Sequence, residues 1–197
     1  MMVDSFLRLA VQSVTAPRDV ARLLLSIRPG TEALVTGFAL VVVLNALVFG
    51  LSRLLLPDGG MAGAVILDSP FAFMVLQAAT LVATIAALTW AGRGLGGTGG
   101  FADLAVLMIW LQALRVLAQA VVLVVMPISA FLGAVLVMAA SALGVWIAVH
   151  FIDEAHALHS VLKAILVLIV GIVGMAIALS IVLSVIGITP DGVTGYV

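Results

Sequence analysis

The chain has 197 residues, 65% of them apolar and 9% charged, with a net charge of −1. Soluble domains run at about 45–50% apolar and about 25% charged, so a water-borne fold could not hide this surface and lipid must cover part of it. The charge balance lacks the basic field that nucleic acid needs, and the absence of cysteine excludes disulfides, iron–sulfur clusters and thiol catalysis.

Residues 1–30 are amphipathic rather than spanning. Val3, Phe6, Leu7, Ala10, Val11 and Val14 recur at helical spacing, with Asp4, Ser5, Arg8, Gln12 and Ser13 on the other side. Pro17 suits the first turn of a second short helix. Its apolar face is Val20, Leu23, Leu24 and Ile27, its basic flank is Arg18, Arg22 and Arg28, and Pro29-Gly30 ends it. Two such helices fit either the headgroup layer or the end of a helix bundle.

Five spans follow. No Asp, Glu, Lys or Arg occurs in 33–52, 69–92, 116–152 or 164–190, and crossing the hydrocarbon takes about 20 apolar residues. The first span, about 33–56, starts too late and runs too long for a signal peptide, and it stops at the turn Leu56-Pro57-Asp58-Gly59-Gly60. The second, about 69–91, opens at Asp68-Ser69-Pro70. Pro127 and Ser129 split the overlong gap into spans at about 101–126 and 129–151, and the last runs about 162–188. The expected fold is all-α. An amphipathic segment, 1–30, precedes a five-helix membrane domain, 31–190, and a short tail, 191–197.

Lysine and arginine placement sets the orientation. With a cytoplasmic N-terminus, Arg8, Arg18, Arg22, Arg28, Arg93 and Lys163 are inside, and Arg53 lies outside with Asp58, Asp68 and Asp191. An odd span count then puts the C-terminus outside. Arginine outnumbers lysine seven to one, a bias that fits a GC-rich bacterial genome and hence a bacterial inner membrane. Small residues mark two helices: Ala140, Gly144 and Ala148 on the fourth span, and Gly171, Gly174 and Ala178 on the fifth. Such stripes let backbones approach closely, within the monomer or across a homo-oligomer or membrane-protein seam.

Gly92-Arg93-Gly94-Leu95-Gly96-Gly97 fits G-x-G-x-x-G by letter, but membrane helices on both sides exclude a βαβ unit, and it reads as a flexible interhelical loop. His150, Asp153, Glu154, His156 and His159 gather metal-ligand types beyond the fourth span. On a helix His150, Asp153, His156 and His159 fan over half the surface and the H-E-x-x-H pair is missing, so the stretch reads as a solvated cytoplasmic loop holding at most a weak site. No metal or other cofactor is expected. With no His, Asp or Glu at mid-bilayer to act as acid or base, no catalytic residue is expected either.

Arg115 stands out. It lies near the middle of the third span, about 21 Å of helix from Phe101 and about 16 Å from Met126. A charge at that depth costs at least ~2.5 kcal/mol on insertion scales and marks a paired or water-facing position. Gln112 and Gln119 share its face. Asn45, Thr80 and Ser141 fall in about the same layer, with Gln77 slightly outside it, and no carboxylate reaches it. Two readings stand. Arg115 is an interhelical pin satisfied by Asn45, Gln77 and carbonyls, or it faces a polar cavity and awaits an anion, an anionic lipid or a partner carboxylate.

The order of features resembles the Yip (Ypt/Rab-interacting protein) family of five-span membrane proteins. Thr15-Ala16-Pro17-Arg18-Asp19-Val20-Ala21-Arg22-Leu23-Leu24 is similar to the opening of bacterial members. Gly96-Gly97-Thr98-Gly99-Gly100-Phe101 resembles the family's Gly-Gly-x-Gly-x-Phe loop, and His156-Ala157-Leu158-His159-Ser160-Val161-Leu162-Lys163-Ala164 the loop before its last helix. The resemblance implies a cytoplasmic N-terminus and a non-enzymatic role organising membrane or partner proteins. Eukaryotic members are linked to Rab GTPases through longer N-termini; here that region is about 30 residues and lacks the Tyr-Gly-Pro type motif, so Rab binding is not implied. The competing expectation is a small transporter or lipid-handling protein built around Arg115.

Overall fold

The computed structural model describes residues 2–55 and 70–185. The turn at 56–60, the charges Asp58, Asp68 and Asp191, the cap Ser69 and the tail 191–197 lie outside the described residues. Seven helices occur in the order α1 (Met2–Thr15), α2 (Pro17–Ile27), α3 (Thr31–Leu55), α4 (Pro70–Gly94), α5 (Phe101–Val125), α6 (Ala130–His156) and α7 (Val161–Val185). No strand occurs among the described residues. Helices α3 to α7 are each long and apolar enough to cross a bilayer, so the all-helical, five-span expectation holds.

Local chemistry sets the breaks. Pro17 occupies the first turn of α2, where its missing N–H is no loss. Arg28, in the left-handed region at φ 44°, ends it. The Asp103 carboxylate accepts the Gly100 N–H at 2.9 Å where α5 starts. Past Pro127, the Ser129 hydroxyl accepts the Leu132 N–H and opens α6. Two ends differ from the expected ones. Helix α4 continues to Gly94, and α6 passes 151 and reaches His156. A charge gap marks where lipid stops tolerating ions, whereas a helix continues as long as its polar side chains find partners.

Helices α4, α5, α6 and α7 pack as a ring, α4 on α7, α7 on α6, α6 on α5 and α5 on α4, with α3 against α4 and α5. Gly171 lets α7 press on Leu88 of α4: a β-carbon there would sit 2.5 Å from Leu88 Cδ2. The short helices join the same bundle. Helix α2 lies on α6 and α5, burying Pro17, Val20, Ala21 and Leu24. Helix α1 packs on α2, sets Phe6 edge-on to Trp110 with centroids 5.3 Å apart, and accepts the Trp110 indole N–H at Ser13 Oγ. Bundle packing therefore takes one face of each short helix. A second apolar stripe, Leu7, Val11 and Val14 with Leu23 and Ile27, stays exposed beside the arginines, which suits the headgroup layer.

Burial is uneven along the membrane normal. The core residues Leu81, Ile85, Leu88, Leu104, Leu107, Met108, Phe151, Ile152, Ala164 and Val167 all lie in the half nearer α1 and α2. In the far half no residue is buried over 46–55 of α3, 71–80 of α4, 134–146 of α6 or 172–181 of α7. Contacts in the far half include Phe49 stacked on Phe73 with centroids 4.0 Å apart, and Gly133 against Met126.

Candidate functional site

The residues expected in a solvated loop are instead part of α6 and its cap, and most are buried. His150 is buried, its Nδ1 2.8 Å from the Trp146 carbonyl and its ring against the Trp146 ring. Asp153 is 4% exposed, accepting the Arg18 guanidinium at 2.8 Å through one oxygen and the Ser160 N–H at 2.9 Å through the other. Glu154 accepts from Arg22 at 2.7 Å, which holds that guanidinium above its ordinary value. Only His159 is exposed. Among the described residues no three His, Asp or Glu come together as metal ligands. Arg18, Arg22, Asp153, Glu154, Ala157 and His159 instead line a surface cavity of about 250 Å³. The two ion pairs run from α2 to α6, so this stretch clamps the N-terminal helices to the bundle.

His156 is fully buried, at the last turn of α6. The loop between α4 and α5 closes around it. Thr98 N–H donates to the His156 carbonyl at 3.1 Å, and Gly99 N–H donates to Nδ1 at 3.2 Å. Nδ1 is thus the acceptor and the neutral ring's proton belongs on Nε2, which is buried and faces the Leu88 backbone without a well-formed hydrogen bond. A β-carbon on Gly92 would fall on the imidazole; one on Gly97 would come within 2.6 Å of His156 Cβ, and one on Gly99 within 2.7 Å of Nδ1. The Gly97 N–H bonds the Gly92 carbonyl and Arg93 Nε bonds the Gly99 carbonyl, which fix the loop. The segment read from sequence as a flexible connector is a fitted cradle. Of its glycines only Gly96 has positive φ, 87°; Gly92, Gly97 and Gly99 are small because the histidine occupies the space.

The mid-span layer does not close on Arg115. Asn45 is buried but spends its amide on the Val41 carbonyl of its own helix. Thr80 passes its carbonyl to Thr84, and exposed Ser141 bonds Val137. Gln77 and Gln119 are half-buried. Gln112 has a fully buried Oε1 with no partner. Arg115 is exposed and makes no hydrogen bond or ion pair among the described residues. Arg115 is about 20° around the helix from Met108 and Leu104, the buried seam of α5, and about two and three turns beyond them, where none of Asn45, Gln77 or a carbonyl is bonded to it among the described residues.

The sequence profile of one family, the Yip1 domain, matches residues 11–182. No curated protein and no solved structure matches the chain significantly.

Proposed function

This chain is a member of the Yip1-domain family, and from that premise we propose that it acts without catalysis, as an integral membrane scaffold that organises membrane or partner proteins. In this reading it resides in a bacterial inner membrane, with α1 and α2 in the cytoplasm and the C-terminus outside, and its partners are the bilayer and a membrane protein or a second copy. The observation that carries it is the double clamp, Arg18 on Asp153 and Arg22 on Glu154. The clamp spends the ionisable groups of the α6 end on holding a platform. Beside it stand the exposed apolar residues Leu7, Val11, Leu23 and Ile27, a surface for a headgroup layer or a partner helix.

A photo-crosslinking residue placed at Val11 or Leu23 in intact cells tests it. Discrete protein or lipid adducts that vanish when Arg18→Ala and Arg22→Ala release α2 are the expected result. Solute flux above that of empty vesicles after reconstitution overturns it.

Lipid handling is the second reading, favoured by exposed Arg115 in the open half of the bundle. It requires lipid exchange in vesicles that Arg115→Leu abolishes.

A further inference from the structure

We propose that Arg115 anchors an intramembrane binding site for one anionic phospholipid, the phosphate on its guanidinium and the acyl chains along the open far half of the bundle. The proposal deepens the lipid-handling reading and rests on it only for purpose, since binding is measured separately from exchange.

The argument starts from rotation. Gln112, Arg115 and Gln119 lie within about 60° of one another, on the face where Leu104 and Met108 are buried. That face points into the bundle rather than away from it. Arg115 is nevertheless exposed, between half-buried neighbours at 111–114 and 116–119. The helices packed on α5, namely α3, α4 and α6, bury no residue over 46–55, 71–80 and 134–146, which leaves apolar side chains there for lipid. At that level Arg115 is a cation without a hydrogen bond or ion pair among the described residues, while Gln112 Oε1 on the same face is sealed by protein.

The charge needs an anion. No carboxylate occurs in the charge-free runs of the other spans, so a second copy supplies none at this depth. The distance along α5 to Val125, about 15 Å, exceeds the reach of an arginine side chain, so snorkelling to the surface does not release it. A phospholipid meets every condition at once. Its phosphate takes the planar donors of arginine, and its chains cover the apolar surface beside it. Phosphatidylglycerol combines both with a net negative charge.

The test uses the full chain in mixed micelles with a phosphatidylglycerol carrying a diazirine near its glycerol backbone. Labelled residues are mapped by mass spectrometry. Label on α5 over 112–119 is expected, falling about tenfold or more in Arg115→Leu and partly kept in Arg115→Lys, while label on α1 and α2 is unchanged. A phosphatidylcholine probe is expected to label 112–119 weakly. Equal labelling of wild type and Arg115→Leu, or label confined to α1 and α2, overturns the proposal. So does recovery of a foreign membrane helix cross-linked at 112–119 in place of lipid. Should Arg115→Leu fail to run as a single species, the wild-type map decides alone. Label at 112–119 without exchange in vesicles keeps the site and removes the lipid-handling reading.

Discussion

Gly99 and His156 meet as donor and acceptor, the glycine N–H bonding imidazole Nδ1 at 3.2 Å, and the same approach leaves no room for a β-carbon on the glycine. Gly97 and Gly92 repeat the restriction from two other directions. The glycine-rich loop before α5 and the histidine-bearing last turn of α6, far apart in sequence, are halves of one joint.

Gly92→Ala puts a methyl on the imidazole, and overpacking of this kind costs about 1–3 kcal/mol. The melting temperature in detergent is expected to drop. His156→Ala removes the obstacle, so Gly92→Ala adds little in that background. Penalties that simply add in the double variant contradict the cradle.

The two clamps differ in burial and are expected to differ in strength. Asp153 is 4% exposed and loses its cation in Arg18→Ala, leaving a nearly buried carboxylate with only Ser160 to serve it. Because Arg18 itself is 44% exposed, the cost is about 1–2 kcal/mol rather than the full penalty of a buried pair. Limited proteolysis within residues 16–30 should accelerate. Arg22→Ala, at a water-exposed pair, is expected to leave both the melt and the cleavage rate near wild type.

Two small residues of the membrane helices are not equivalent. Gly171→Ala drives a methyl against Leu88, whereas a methyl on Gly144 meets nothing within 4 Å. The first is expected to lower thermal stability by about 1–3 kcal/mol, and the second to leave it unchanged or slightly raised through helix propensity. An equal loss in both means that Gly144 is covered by a second chain, which cross-linking would then identify.

Orientation can be read with thiol reagents, because the chain has no cysteine. Single cysteines at Leu95, in the α4–α5 loop, and at Ile128, in the exposed α5–α6 turn, are expected to label from opposite sides of the membrane. Leu95 should react only once the cytoplasmic face is opened. The reverse pattern inverts the topology.

The spans were legible because lipid imposes a run length that no packing detail can hide. Helix ends were less so: the fourth was expected to stop at 151, but Asp153 is held by Arg18 and Ser160 and His156 Nδ1 by the glycine loop, partners invisible along the chain. The cradle left a trace that could have been weighed. Repeated glycines between two helices serve either turning or close approach, and only coordinates distinguish Gly96, which turns, from Gly92, Gly97 and Gly99, which make room. Arg115 was conspicuous as a charge in the wrong place. What surrounds it depends on how far neighbouring helices part, a property of tertiary packing with no periodic signature.

A bundle packed tightly at one end and loosely at the other has a gradient of stiffness across the membrane. Changes in bilayer thickness cost a fraction of a kcal/mol per Å of mismatch and are absorbed where deformation is cheapest, here among the unburied far halves of α3, α4, α6 and α7. The end carrying α1 and α2 would hold its shape while the other splays or closes, like tweezers gripped at the joint. Bilayer thinning or curvature would thus be taken up at the loose end before it disturbed the packed one.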